Sequence, residues 1–189
     1  MSVRLTLLAA ARSSALLATQ FDDDRPLDAR GWREVERAAP VLCRLAAAEL
    51  RYCSPSARCR ETGEGLGLRP LPQPALRDCD MGRWRGRTLG EVTAAEPAAV
   101  ETWLADPRSA PHGGESLLAF ITRVGGWLDT RPVEDAAGLL AVAEPGVVRA
   151  ALVYALQATP HSFWRIDVRP LSVVTLSGRA GKWDLRLEP

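Results

Sequence analysis

The sequence predicts a layered α/β domain, and three stretches carry that prediction. Residues 140–156, "LAVAEPGVVRAALVYAL", begin as an apolar run that stops at Pro145-Gly146. Val147, Val148, Ala151, Leu152 and Ala155 then recur at helical spacing, so a buried strand turns sharply into a helix. Residues 3–8 form a second β-rich apolar run of strand length. Near the end, "LSVVTLSGRAGKWDLRL" holds two short β-rich runs separated by "SGRAGK", which predicts a terminal hairpin. Strands alternating with helices imply a mixed, mainly parallel sheet between helical layers, a three-layer αβα arrangement.

The elements between these landmarks follow in order. The first run is followed by a loop holding "FDDDRPLDARG", whose acidic triplet Asp22 to Asp24 is expected to be solvated. From Trp32 to Leu50 the apolar positions Val35, Ala38, Ala39, Leu42, Leu45, Ala46 and Ala48 predict a helix kinked or broken at Pro40. "YCSPSARCRET" reads as a strand end, a Ser-Pro helix start and a short helix. "GLRPLPQPALRDCDMGRWRGRT" is rich in proline, glycine and arginine and predicts ordered loop around a short extended segment. Helices are expected at about 88–105 and 115–129, the second introduced by "PHGGES".

The 189 residues suit one domain spanning 1–189. With 24 Lys+Arg against 23 Asp+Glu the net charge is +1, which gives no basis for nucleic acid or an anionic membrane as the main partner. Lys182 is the only lysine, so the basic character is arginine. Cys43, Cys53, Cys59 and Cys79 show no CxxC spacing and have no neighbouring histidine in sequence, so reduced cytoplasmic thiols are expected, with no metal and no cofactor. The N-terminal stretch "MSVRLTLLAAARSSALLA" has the composition of a signal peptide. A buried first strand is preferred, because a similar strand-plus-turn unit recurs at 139–146. No repeat and no span long enough to cross a bilayer is found in the sequence.

Nine blocks together resemble a known family. "LTLL", "RPLDARG", "CSPSARCRET", "LRDCDMGRWRGRTLGEV", "WLADP", "PHGGES", "VVRAALVYAL", "PLSVVTL" and "GKWDLRL" fall in the order and roughly the spacing of the histidine phosphatase superfamily, the phosphoglycerate mutase-like or broad-specificity acid phosphatase fold. The resemblance implies that fold over nearly the whole chain. It also implies a chemistry in which a histidine after the first strand attacks a phosphate, a second histidine and two arginines surround the phosphoryl oxygens, and a carboxyl group protonates the leaving alcohol. Fixed cationic donors supply most of the stabilisation of a transferring phosphoryl group, and splitting the displacement in two is covalent catalysis.

This sequence departs from the family pattern at its centre. The family's first turn falls on Ala9, Ala10 and Ala11, so Ala9 replaces the first arginine and Ala10 the nucleophile. Glu144 aligns with the second histidine. Arg58 matches the arginine of the Ser-Pro block and Asp78 the proton donor. By this alignment the pocket holds one arginine and two carboxylates, which predicts poor binding of a phosphate dianion, since a like charge at 4 Å costs on the order of 4 kcal/mol. Arg58 should then pair with Glu144 or Asp78, and Glu144→Gln is expected to cost stability.

Each candidate also has a plainer role. Arg58 is either a retained phosphate-binding group or a brace for its helix; Asp78 is a proton donor or a loop brace; Glu144 is a pocket wall or an exposed turn residue. His112 is expected on a surface loop rather than as a relocated nucleophile. Cys59 is an activated thiolate or a small semi-buried helix residue, with the second preferred, and Trp84 in "RWRGR" is a structural residue among solvated arginines. Three functions remain: a pseudoenzyme that binds a small phosphorylated ligand or a protein partner; an altered hydrolase using Asp78, Glu144 or His112 in new roles, for instance with a cation between the carboxylates; and low-level ancestral phosphatase activity.

Overall fold

The computed structural model describes residues 3–13, 20–21, 24–131 and 138–187. Part of the acidic triplet, Asp22 and Asp23, lies outside them. Among the described residues there are six strands, β1 (Val3–Ala9), β2 (Leu50–Cys53), β3 (Leu71–Pro72), β4 (Leu139–Ala143), β5 (Val173–Arg179) and β6 (Lys182–Arg186). They form one sheet in the order β3-β2-β4-β1-β5-β6. The β1–β4, β2–β4 and β2–β3 pairs are parallel, and β5 and β6 close the far edge antiparallel. The sheet is therefore mixed and mainly parallel.

Strand alternation sends the two central strands' side chains to opposite faces. Leu5, Leu7 and Ala9 of β1, with Leu139, Ala141 and Ala143 of β4, pack under helices α5 (Leu117–Asp129) and α6 (Pro145–Ala155). Leu8, Leu140 and Val142 face α1 (Ala29–Leu42) and α2 (Ala57–Gly65), through Val35, Leu42, Cys59 and Leu66. β4 is buried along its whole length, which is why it reads as an uninterrupted apolar run. At the α5–α6 contact Gly125 is required: a Cβ there would stand 2.2 Å from the Tyr154 ring. A third cluster, Met81, Trp84, Val92, Val100 and Trp103, gathers the loop after β3 with α3 (Leu89–Ala95) and α4 (Pro97–Ala105).

Several boundaries differ from the sequence pattern. The first helix begins at Ala29, where the Asp28 carboxylate accepts from the Gly31 N–H, and includes Pro40. It tightens into a 3-10 turn at Cys43–Ala47 rather than running to Leu50, which opens β2. Proline lacks the N–H that would continue the helical ladder, so the helix ends within its next turn. The expected helix at 88–105 is two helices. Thr88 and Glu91 cap α3 reciprocally, and Glu96 in a non-helical conformation, followed by Pro97, starts α4. In the terminal hairpin Ser177, Gly178, Arg179 and Lys182 belong to the strands, so the loop is only Ala180-Gly181. Among the described residues no helix is long and apolar enough to cross a membrane.

Candidate functional site

The parallel strands end together. The Ala10 N–H, one residue beyond β1, donates to Ala143 O at 2.8 Å, and the Ser54 N–H, one residue beyond β2, donates to Val142 O at 2.8 Å. This stitching places the turns after β1, β2 and β4 side by side at the strands' carboxyl ends, where open α/β sheets hold ligands. Ala9, Ala10 and Ala11 are all fully buried, and the Ala10 methyl packs in the apolar cluster with Leu8, Cys53 and Cys59.

Glu144 occupies the N-cap position of α6, but its side chain makes no capping hydrogen bond. It is buried, its Oε1 accepts from Ser54 Oγ at 3.0 Å, and Oε2 has no hydrogen-bond partner among the described residues. Burial pushes its carboxyl above the usual 4.5, opposed by the Arg58 charge and by the hydroxyls of Ser56 and Ser54. Glu144 is thus a pocket wall and not an exposed turn residue.

Arg58 sits in the first turn of α2, which Ser56 caps by accepting from the Cys59 N–H. Its guanidinium is buried and lies 3.8 Å from Asp78 Oδ2. Asp78 Oδ1 accepts from the Cys79 N–H at 2.9 Å. Gly146 makes room for this carboxylate, since a Cβ at 146 would stand 2.5 Å from Asp78 Oδ1. Ala10, Arg58, Asp78 and Glu144 therefore belong to one site, and the ion-pair partner of Arg58 seen at 3.8 Å is Asp78.

Two cavities open here. The first, about 300 Å³, is lined by Ser54, Ser56, Asp78, Asp80, Arg85 and Glu144 among others. The second, about 380 Å³, is lined by Arg12, Arg58, Asp78 and Arg149 together with Phe21, Trp103, Phe120, Phe163 and Trp164. Asp78, Cys79 and Met81 are common to both.

The charge count from family blocks needs correction: five arginines, not one, line the two cavities, Arg77 and Arg85 the first and Arg12, Arg58 and Arg149 the second. Arg12 follows the Ala9–Ala11 turn, and Arg149 lies on α6 one turn beyond Pro145. Arg149 was recognisable as the polar member of an otherwise apolar "VVRAALV" helix. Arg12 carried no signal, because only the fold brings it beside Arg58.

Other sequence candidates lie elsewhere. His112 is not a surface residue; it is buried, tilted against Trp84 with ring centroids 5.1 Å apart, and its Nδ1 accepts from the Gly114 N–H at 3.0 Å. Burial lowers its pKa below 6.5, and it lines neither cavity. His161 is exposed and contacts Ala105 O at 3.0 Å. Cys59 is fully rather than partly buried, and burial pushes its thiol far up, the reverse of an activated thiolate. Trp84 is structural, and the arginines beside it are braced: Arg87 lies 3.3 Å from Glu96, which Arg83 also engages. Asp24 accepts from the Ala57 N–H at 2.9 Å and so helps hold the start of α2.

The model of the histidine phosphatase superfamily, branch 1, matches residues 11–188. The chain belongs to the histidine phosphatase superfamily. The match to this superfamily begins at Ala11, immediately beyond Ala9 and Ala10. The chain is 33% identical to glucosyl-3-phosphoglycerate phosphatase of Mycolicibacterium vanbaalenii over 165 residues, covering 78% of this chain and 69% of that protein. It is 30% identical to the bifunctional protein Rv2228c of Mycobacterium tuberculosis over 150 residues, 76% of this chain and 41% of that protein. The chain thus spans about two fifths of the length of the latter relative. The native structure of mycobacterial glucosyl-3-phosphoglycerate phosphatase Rv2419c superposes with a TM-score of 0.78 at 24% identity, covering 98% and 97% of the two chains, and shares the superfamily fold.

Proposed function

We propose that this histidine phosphatase-fold protein binds an anionic ligand without transferring phosphate. One observation carries the reading: the position after β1, whose N–H donates to Ala143 O next to Glu144, holds Ala10 with its methyl buried in the core, and neither of the chain's two histidines lines either cavity. A methyl group cannot attack phosphorus, and the two histidines of the chain are engaged outside the cavities. The second histidine position of the family pattern is Glu144, which repels rather than steadies a phosphoryl oxygen when ionised. Arg58 remains as an anion-binding cation whose Asp78 partner can yield part of its interaction to a ligand.

Incubation with a generic aryl phosphate, with and without divalent cations, tests this. The expected turnover is lower than that of an intact family member by about a million-fold, the cost of losing a covalent nucleophile. A phosphorylated histidine trapped with labelled substrate, or turnover at an ordinary phosphatase rate, overturns it.

A second reading has its own support. Asp78 and Glu144 share one cavity, and burial holds Glu144 toward its protonated form, the state of a general acid. Metal-dependent release of the aryl alcohol, abolished by Glu144→Gln, is the result that selects this altered hydrolase.

A further inference from the structure

The aromatic cavity has a chemistry of its own. Its wall is a chain of edge-to-face rings: Trp103 and Trp164 at 4.7 Å, Phe163 and Trp164 at 5.0 Å, Phe120 and Phe163 at 6.2 Å between centroids. Such a wall suits a flat apolar body, which it can meet by offset or edge-on ring contacts. The volume, about 380 Å³, suits a small molecule.

The charges around it do not cancel. Arg12 lies 3.1 Å from Glu34, and Arg58 lies 3.8 Å from Asp78. Arg149 has no such carboxylate among the described residues. Its guanidinium carbon stands 5.7 Å from the centre of the Phe163 ring, its buried Nε makes no hydrogen bond, and it forms no ion pair with any described residue. Among the described residues, Arg12 and Arg58 each face a carboxylate and Arg149, at the edge of the aromatic wall, is the lining arginine that faces none. A buried donor without an acceptor is costly unless a ligand supplies one.

We infer that this cavity is a binding site for an organic monoanion with a flat apolar body, an aryl carboxylate, held by Arg149 at its charged end and by Trp103, Phe163 and Trp164 along its ring. This rests on the reading of the chain as a binding protein and adds the chemistry of the ligand. A carboxylate offers two oxygens to the planar fork of a guanidinium. It brings one negative charge, which matches the one lining arginine without a carboxylate partner among the described residues. A phosphate monoester above its second ionisation brings close to two, and the second faces Asp78 on the same lining.

The test titrates the whole chain with 2-naphthoate, followed by tryptophan fluorescence and calorimetry, with 2-naphthamide and 2-naphthyl phosphate as comparisons at a pH above about 6, where the phosphate is dianionic. Expected are saturable binding of naphthoate and binding of naphthamide weaker by about tenfold or more, the loss of one charge-assisted contact. Naphthyl phosphate should also bind less tightly than naphthoate. Arg149→Gln should weaken naphthoate by a similar factor and leave naphthamide unchanged, while Arg149→Lys should restore most of the binding. If circular dichroism finds Arg149→Gln unfolded, Arg149→Lys and the acid-to-amide ratio on the native chain decide. The inference is overturned by absence of saturable naphthoate binding in the millimolar range, by equal binding of acid and amide, by tighter binding of naphthyl phosphate, or by unchanged binding in folded Arg149→Gln. Release of 2-naphthol is monitored in the same experiment. Rapid release defeats the proposed function whatever naphthoate does, whereas failure of naphthoate to bind with no naphthol released defeats only the carboxylate site.

Discussion

The two cavities that meet at Asp78 are built from opposite materials. On one side Asp78, Asp80 and Glu144 stand among the hydroxyls of Ser54 and Ser56. On the other, Arg12 and Arg149 stand among five aromatic rings. Arg58 lies at the boundary, its guanidinium buried and 3.8 Å from Asp78. The difference shows that one fold can present two unlike linings on either side of a single carboxylate. Asp78 lines both cavities; the other carboxylates, with Arg77 and Arg85, lie on the side held by the strand ends, and the side roofed by aromatic side chains adds only arginines, Arg12, Arg58 and Arg149. One ion pair, buried at its Arg58 end and partly exposed at Asp78, separates them.

Removing the divider should have the largest effect. Arg58→Leu leaves the Asp78 and Glu144 carboxylates facing an apolar side chain, and the chain is expected to lose about 3–5 kcal/mol, the cost of breaking a buried pair from one side. Urea unfolding measures it, and a loss under about 1 kcal/mol would mean that the two cavities do not depend on Arg58.

Asp78→Asn attacks the same pair from its wetter member. The Asp78 side chain is 28% exposed against 3% for Arg58, so water replaces part of what is lost. The expected cost is about 1–3 kcal/mol, again by urea unfolding, and a cost above that of Arg58→Leu would place the divider at Asp78.

His112 and Glu144 sharpen the comparison through pH. Burial depresses the folded pKa of His112 below 6.5. The unfolded chain therefore takes up the proton first, and the stability His112 contributes is present above 6.5 and lost as pH falls through its folded value. Glu144 works in the other direction. Its folded pKa lies above 4.5, so the folded chain keeps a proton that the unfolded chain has released. Its contribution is present below 4.5 and lost as pH rises through the folded value. Unfolding midpoints across this range should fall more steeply with acid in Glu144→Gln than in the native chain, and less steeply in His112→Gln. Matching slopes for all three would defeat both assignments.

Glu144→Gln should have the smallest effect on stability at neutral pH, within about 0.5 kcal/mol and in the direction of greater stability. This reverses the expectation from sequence alone. The reversal has a physical cause: a glutamine oxygen can accept from Ser54 as the carboxylate does, Arg58 has Asp78 at 3.8 Å, and burial makes the charge on Glu144 costly. Thermal unfolding of the two chains side by side checks the sign.

The buried strands and their succession along the chain were legible because burial leaves a direct trace in the sequence. β4 is apolar throughout, being covered on both faces, and Pro145-Gly146 marks the turn into α6. The helix ends were less legible. Pro40 looks like a break in the pattern, yet it is accommodated inside α1 before the helix tightens. The pattern across 88–105 continues through Glu96, and only the backbone conformation there separates α3 from α4. His112 looked like a loop residue because its neighbours are proline and glycines. The tight turn those residues make is what carries its ring against Trp84.

The sequence by itself determined the family, the layered sheet and the placement of Ala10, Arg58, Asp78 and Glu144 at one end of that sheet. The layered sheet follows from the spacing of apolar runs and turns, which are local and survive in one dimension, and the family and the four positions follow from the resemblance of the nine blocks. Only the tertiary structure decided the character of the site. Arg12, Phe21, Trp103, Arg149 and Trp164 come from five separate segments and share one cavity. The ion pairs that, among the described residues, set Arg149 apart are contacts between residues distant in the chain, as Arg12 with Glu34 and Arg58 with Asp78. The proton affinity of Glu144 is likewise set by burial rather than by its neighbours in sequence. Charge balance and desolvation depend on distance in space, and spacing along the chain carries neither.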